Sequence, residues 1–133
     1  MEISSGTNFK ILIADENIIF RNNLATSLRL QRFVVEYVTG GFHLMHVLEK
    51  DRDCSLIIIH EDMHDMPAAE IILLVRTIFK KPELPILFIS KYNDEERICD
   101  MIFNGANEYI VKTDNFQAIV ERAKKYLAIS KNS

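Results

Sequence analysis

The sequence predicts an α/β fold of the doubly wound kind, a five-stranded parallel sheet with helices on both faces. Short apolar runs alternate strictly with helix-spaced apolar stripes, five times along the chain. The runs at residues 11–14, 56–59 and 86–89 also lack polar alternation, as parallel strands covered on both faces require. Such strands are joined by helical crossovers, which places helices on each face of the sheet.

Residues 9–14, apolar except for Lys10, read as the first strand. From 17 to 32 the apolar residues Ile18, Leu24, Leu28 and Leu30 recur at helical spacing. Residues 33–38 are β-branched and aromatic and form a second strand. Gly40 and Gly41 turn the chain into a helix carrying Leu44, Val47 and Leu48. The most strand-like segment is 56–59. A helix follows over 67–81, with Pro82 and Pro85 at its end. Residues 86–89 are another buried strand, and 93–104 a helix stopped by Gly105. A short strand at 109–111 precedes a helix capped by Asp114 or Asn115 and running to about Ala128. The expected organisation is a flexible tip at 1–8, one domain over 9–129 and a second tip at 130–133, with no effector domain.

Composition narrows the function. Hydrophobic residues make up 48 % of the 133, enough for a core without metal or disulfide staples. With 26 % charged residues and a net charge of −3, neither a disordered chain nor a dedicated nucleic-acid binder is expected. No apolar run nears the roughly 20 residues of a membrane helix, and residues 1–8 lack the apolar centre of a signal peptide. Cys54 and Cys99 form neither a disulfide framework nor a metal-site spacing. A cytoplasmic location is expected. The charge is uneven: residues 112–133 carry five basic and two acidic side chains, a net +3, against −6 elsewhere.

Ligands of parallel sheets bind beyond the carboxyl ends of the strands. Attention therefore falls on Asp15 and Glu16, Thr39, residues 60–65, Ser90 and Lys112. An adjacent carboxylate pair suits a hard divalent cation, and equally suits the start of a helix. A hydroxyl and an ammonium converging at the same edge suit phosphoryl oxygens, although each alone is an ordinary loop residue.

The segments Lys10-Ile-Leu-Ile-Ala-Asp-Glu16, Pro85-Ile-Leu-Phe-Ile-Ser90 and Gly105-Ala-Asn-Glu-Tyr-Ile-Val-Lys112 together resemble the receiver domain of two-component response regulators. The resemblance, of the CheY-like kind, spans residues 9 to about 128. It implies phosphorelay signalling, a magnesium ion on the acidic pair and a phosphoacceptor aspartate ending the third strand. It also implies that Ser90 and Lys112 complete the pocket and that Tyr109 is an aromatic switch residue. Thr113 stands where the family usually has proline.

The larger departure is at the acceptor. The position 45 residues after Asp15, 30 before Ser90 and 52 before Lys112 holds His60. Asp62, the nearest aspartate, breaks all three spacings. The family's Met-Pro-x-x-Asp-Gly-like loop is replaced by residues 61–67. An acceptor carboxylate attacks phosphorus while a metal and a lysine neutralise the equatorial oxygens. An imidazole is longer and differently directed, and the site loses a carboxylate for magnesium. The expectation is a pseudo-receiver: a non-enzymatic signalling adaptor without an aspartyl-phosphate cycle. Its partner would be a protein such as a signalling kinase or downstream effector, with no nucleic acid or membrane, the chain being a monomer or weak homodimer. Two alternatives stay open. One is a phosphoacceptor modified at Asp62 or His60 with Mg2+, the ion held by Asp15, Glu16 and Asp62. The other is a metal- or pH-sensing module in which a His60 imidazolium beside Asp15 and Glu16 supplies positive charge.

His60-Glu61-Asp62-Met63-His64 matches the H-E-x-x-H zinc pattern, but no helix is expected to carry it. His43 and His46 read as a surface face of the second helix. In the third helix Ile71, Leu74, Val75 and Ile78 fit one buried stripe. Ile72, Leu73 and Phe79 widen it into either a thicker core or an exposed partner patch.

Overall fold

The computed structural model describes residues 9–132, with side chains described as far as Ala128. Ten elements alternate: β1 (Lys10–Ala14), α1 (Ile18–Arg29), β2 (Val34–Val38), α2 (Gly41–Lys50), β3 (Cys54–His60), α3 (Ala68–Ile78), β4 (Ile86–Ser90), α4 (Glu95–Asn104), β5 (Glu108–Val111) and α5 (Phe116–Asn132). The strands form one parallel sheet in the order β2-β1-β3-β4-β5. No helix among the described residues is long and apolar enough to cross a membrane.

Strand pleating divides the core in two. Ile11, Ile13, Leu56, Ile58, Leu87 and Ile89 face α1 and α5, where Phe20, Leu24, Leu28, Ile119, Val120 and Leu127 are buried against them. Their neighbours Leu12, Ala14, Ile57, Ile59, Ile86 and Phe88 face α2, α3 and α4. Successive side chains point to opposite faces, so both parities must be apolar. This is why the central strands read as unbroken runs.

Several boundaries and faces differ from expectation. α1 starts at Ile18, with the Asn17 side chain accepting the Phe20 N–H at 3.1 Å. Its buried stripe is Phe20, Leu24, Ala25 and Leu28, while Ile18 and Leu30 lie outside it, exposed. α3 ends at Ile78, before the prolines. Ile72 is fully buried and Phe79 packs on the same core, leaving Leu73 outermost at 50 % exposure. α3 has α2 on one side and α4 on the other, so it buries a wider arc than a helix with one neighbour. Asn115 accepts the Gln117 N–H and so caps α5. That helix runs to Asn132, so residues 130–132 continue it rather than forming a separate tip. The expectation for residues 1–8 lies outside the described residues.

Candidate functional site

Register sets the site at the carboxyl edge of the sheet. Ala14 pairs with Ile59, which brings Asp15 abreast of His60. His60 pairs with Ile89, so Ser90 comes abreast of Glu61. Ser90 pairs with Val111, and the Lys112 N–H donates to the Ser90 carbonyl at 2.7 Å. Four residues chosen by spacing thus meet at one edge.

The sheet plane then separates them. Asp15 and His60 have the parity of the α1/α5 face, and both are buried, His60 at 2 % exposure. His60 Nδ1–H donates to Asp15 Oδ1 at 2.8 Å; a carboxylate only accepts, so the proton sits on Nδ1. The same oxygen accepts the Asn17 N–H at 2.8 Å. Asp15 Oδ2 has no hydrogen-bond partner among the described residues. The His60 ring stacks on Phe20, with centroids 4.9 Å apart at 20°. The Lys112 ammonium lies 4.5 Å from the same Phe20 centroid. Arg21, also buried, donates to the Asp15 carbonyl at 3.3 Å and lies 3.7 Å from the Tyr37 ring centroid.

Ser90 and Glu61 have the opposite parity, toward α4. The Ser90 hydroxyl donates to the Glu61 carboxylate, which also pairs with Arg97 of α4. Ser90 Oγ accepts the Tyr92 N–H at 3.1 Å. The Tyr109 hydroxyl donates to the Tyr92 carbonyl at 2.7 Å, and its ring packs on Phe88.

The loop beyond β3 is tied at two points. Glu16 accepts the His64 backbone N–H at 2.7 Å and pairs with its ring. Asp65 accepts the Gly41 N–H at 3.0 Å and the Phe42 N–H at 3.1 Å. It thereby caps α2, whose own N-cap, Gly40, makes no side-chain bond. A Cβ on Gly40 would meet Asp65 Oδ2 at 2.7 Å, so only glycine lets that carboxylate approach.

The acidic pair is therefore split, Asp15 to His60 and Glu16 to His64, rather than converging with Asp62 on a cation. Asp62 Oδ2 lies 4.0 Å from His60 Nδ1, with its side chain half exposed. Among the described residues no cluster of three or more His, Cys, Asp or Glu side chains is arranged to hold a metal. Asp15, Glu16 and Asp62 thus do not fit the magnesium ion the resemblance implies. Nor does H-E-x-x-H act as a zinc motif. His60 ends a strand while His64 stands 87 % exposed in a loop, each bound to a different carboxylate.

Two predictions follow from these ties. Asp65→Ala removes the cap of α2 and is expected to cost about 1 kcal/mol in chemical denaturation; an unchanged midpoint would exclude the cap. The Gly41 and Phe42 N–H groups hold the Asp65 carboxyl below its usual range. Its contribution is accordingly present above the unfolded value and lost as pH falls through the lowered one.

The second concerns His64. Glu16 raises the His64 imidazole above its usual range, and His64 lowers Glu16. The His64 contribution is full below about pH 6.5 and lost as pH rises through the raised value. That of Glu16 is present above its unfolded value and lost as pH falls through the lowered one. The tether is thus tightest in mildly acidic solution. Glu16→Gln should return the His64 NMR titration to about pH 6.5, and an unaltered titration would exclude the tether.

Asp15, Glu16, His60, Asp62, Ser90, Tyr109 and Lys112 were named from the sequence and Glu61 fell within the segment 60–65, whereas Phe20 and Arg97 carried no signal there. The family model for the response regulator receiver domain matches residues 11–124. The chain belongs to the response regulator receiver family. The two-component response regulator ORR3 of Oryza sativa is 26 % identical over 102 residues, covering 77 % of this chain and 78 % of that one. Among solved structures, a CheY-like receiver domain protein from Methanospirillum hungatei superposes with a TM-score of 0.83 at 19 % identity. That likeness covers 93 % of this receiver and 97 % of the other chain. A two-component response regulator/GGDEF domain protein superposes with a TM-score of 0.88 at 17 % identity, over 95 % of this receiver. This receiver spans 52 % of that longer chain. Both likenesses fix the five-stranded fold.

Proposed function

We propose that this receiver is a phosphorylation-independent protein-interaction module in two-component signalling. The observation that carries the reading is the buried Asp15–His60 pair at the acceptor position. His60 spends Nδ1 on Asp15 and packs its ring on Phe20. Ser90 donates to Glu61, and Lys112 stands over Phe20. Each group that would handle a phosphoryl oxygen is engaged by another side chain, and no carboxylate occupies the nucleophile's place. Asp62, half exposed beyond the strand end, does not replace it.

Signalling then depends on surfaces open to a kinase or effector in the cytoplasm. Ile18 and Ile19 begin α1 beside Asp15 and are both exposed, while Tyr92, between β4 and α4, and Phe103 on α4 also expose apolar surface. On α5, Lys124 and Lys125 are exposed and Arg122 pairs with Glu108. Incubation with acetyl phosphate and Mg2+, read by intact mass and NMR, tests the reading. An unmodified chain with unchanged shifts is expected. A stoichiometric phosphoprotein, whether acid-stable or acid-labile, would overturn it.

A further inference from the structure

We propose that Glu61 is an internal anion that occupies the Ser90 hydroxyl and holds the β4–α4 segment and Tyr109 in one fixed arrangement. The inference deepens the reading above and rests on the acceptor position being closed, but its test uses no phosphodonor.

A hydroxyl has one proton to donate and lone pairs to accept with. Ser90 gives its proton to the Glu61 carboxylate and accepts the Tyr92 N–H. The Tyr92 carbonyl in turn accepts the Tyr109 hydroxyl. A continuous chain of hydrogen bonds therefore runs from the loop after β3, through the end of β4, to β5. Arg97 anchors it to the first turn of α4, where Asp94 caps the helix by accepting the Arg97 N–H at 3.1 Å. The Arg97 guanidinium also lies 5.1 Å from the Tyr92 ring centroid.

The Glu61 side chain is only 15 % exposed. A carboxylate withdrawn from water is costly unless a cation and donors compensate it, and here a guanidinium and a hydroxyl do so. Its position follows from register. The Glu61 N–H donates to the Ile89 carbonyl at 2.9 Å, which sets Glu61 abreast of Ser90 on the α4 side of the sheet. Negative charge is thus delivered to Ser90 from within the chain, one residue past the histidine that closes the acceptor position. The surface formed by Tyr92, the start of α4 and Tyr109 is held without a ligand.

Native-state hydrogen exchange tests this on the full chain. Glu61→Ala should speed exchange of the amides of residues 91–98 about tenfold or more and shift the Tyr109 ring signals. Amides of β1 and β3 should keep their protection. Adding sodium acetate or inorganic phosphate should refill the vacated anion position and restore slow exchange in the variant, leaving the wild type unchanged. Ser90→Ala, which keeps Glu61 and Arg97 together, should loosen Tyr92 and Tyr109 without rescue by either anion. It also serves as the probe should Glu61→Ala fail to fold. Wild-type exchange at residues 91–98 in Glu61→Ala, or loosening that neither anion reverses, would overturn the proposal. So would unaltered Tyr92 and Tyr109 signals in Ser90→Ala. Phosphorylation by acetyl phosphate would instead overturn the closed acceptor and leave these exchange results standing.

Discussion

Arg76→Met is expected to lower stability by about 3 kcal/mol and the melting temperature by about 10 °C. Arg76 leaves α3 and spends its planar fork on four acceptors. Nε donates to the Gly105 carbonyl at 2.9 Å, and Nη1 to the carbonyls of Phe79 and Leu84 at 3.1 and 2.9 Å. Nη2 donates to Asn107 Oδ1 at 2.9 Å, the oxygen that also accepts the Ile86 N–H. One side chain thus joins the end of α3, the entry to β4 and the turn from α4 to β5. Gly105 makes the approach possible: its φ is +133°, and a Cβ there would meet Arg76 Cγ at 2.6 Å. Methionine matches the stem but satisfies none of the acceptors. Lysine has no fixed fork to span them, so Arg76→Lys should recover less than half of the loss. A cost below about 1 kcal/mol in urea denaturation would mean that water replaces the guanidinium.

The elements were readable because each local signal agreed with its neighbours. The apolar runs became strands, Asn115 became a cap, and Gly105 ended α4. The strand-end residues were readable for a related reason. In a parallel sheet a fixed register turns sequence spacing into position along one edge, so Asp15, His60, Ser90 and Lys112 could be placed by counting. Counting does not decide which side of the sheet a strand-end side chain faces. The pocket was therefore expected to gather Asp15, Glu16 and Ser90 around His60, whereas Ser90 turns to Glu61 and Glu16 to His64. Strand parity held the missing signal: Ser90 and Glu61 share one face, and Asp15 and His60 the other. Phe20 and Arg97 sit on helices, where a one-dimensional pattern marks them as core and surface residues without naming their partners. Arg76 was hidden similarly, as a charged residue in the most apolar helix of the chain.

His60→Asp is expected to destabilise the fold by a few kcal/mol in metal-free buffer, and Mg2+ is expected to recover part of that loss. In the wild type the buried carboxylate of Asp15 is met by a ring N–H at 2.8 Å, and the ring fills the space against Phe20. Aspartate is shorter, so the stacked face of Phe20 loses its neighbour. A second carboxylate then stands where the donor was. Two carboxylates sharing a buried site cannot both ionise freely, so one keeps a proton or the pair takes up a cation. The sign follows from linkage. The folded variant binds a proton that the unfolded chain releases near pH 4, so its stability falls as pH rises above that range. The wild type lacks this pair, and its melting temperature should be indifferent to Mg2+. Melting curves at pH 5 and pH 8, with and without the cation, read all three effects. A variant as stable as the wild type, and equally indifferent to magnesium, would show that His60 is neither paired with Asp15 nor closing the acceptor position. Recovery by magnesium would show that one side chain, on an otherwise intact receiver fold, separates this site from a cation-binding one.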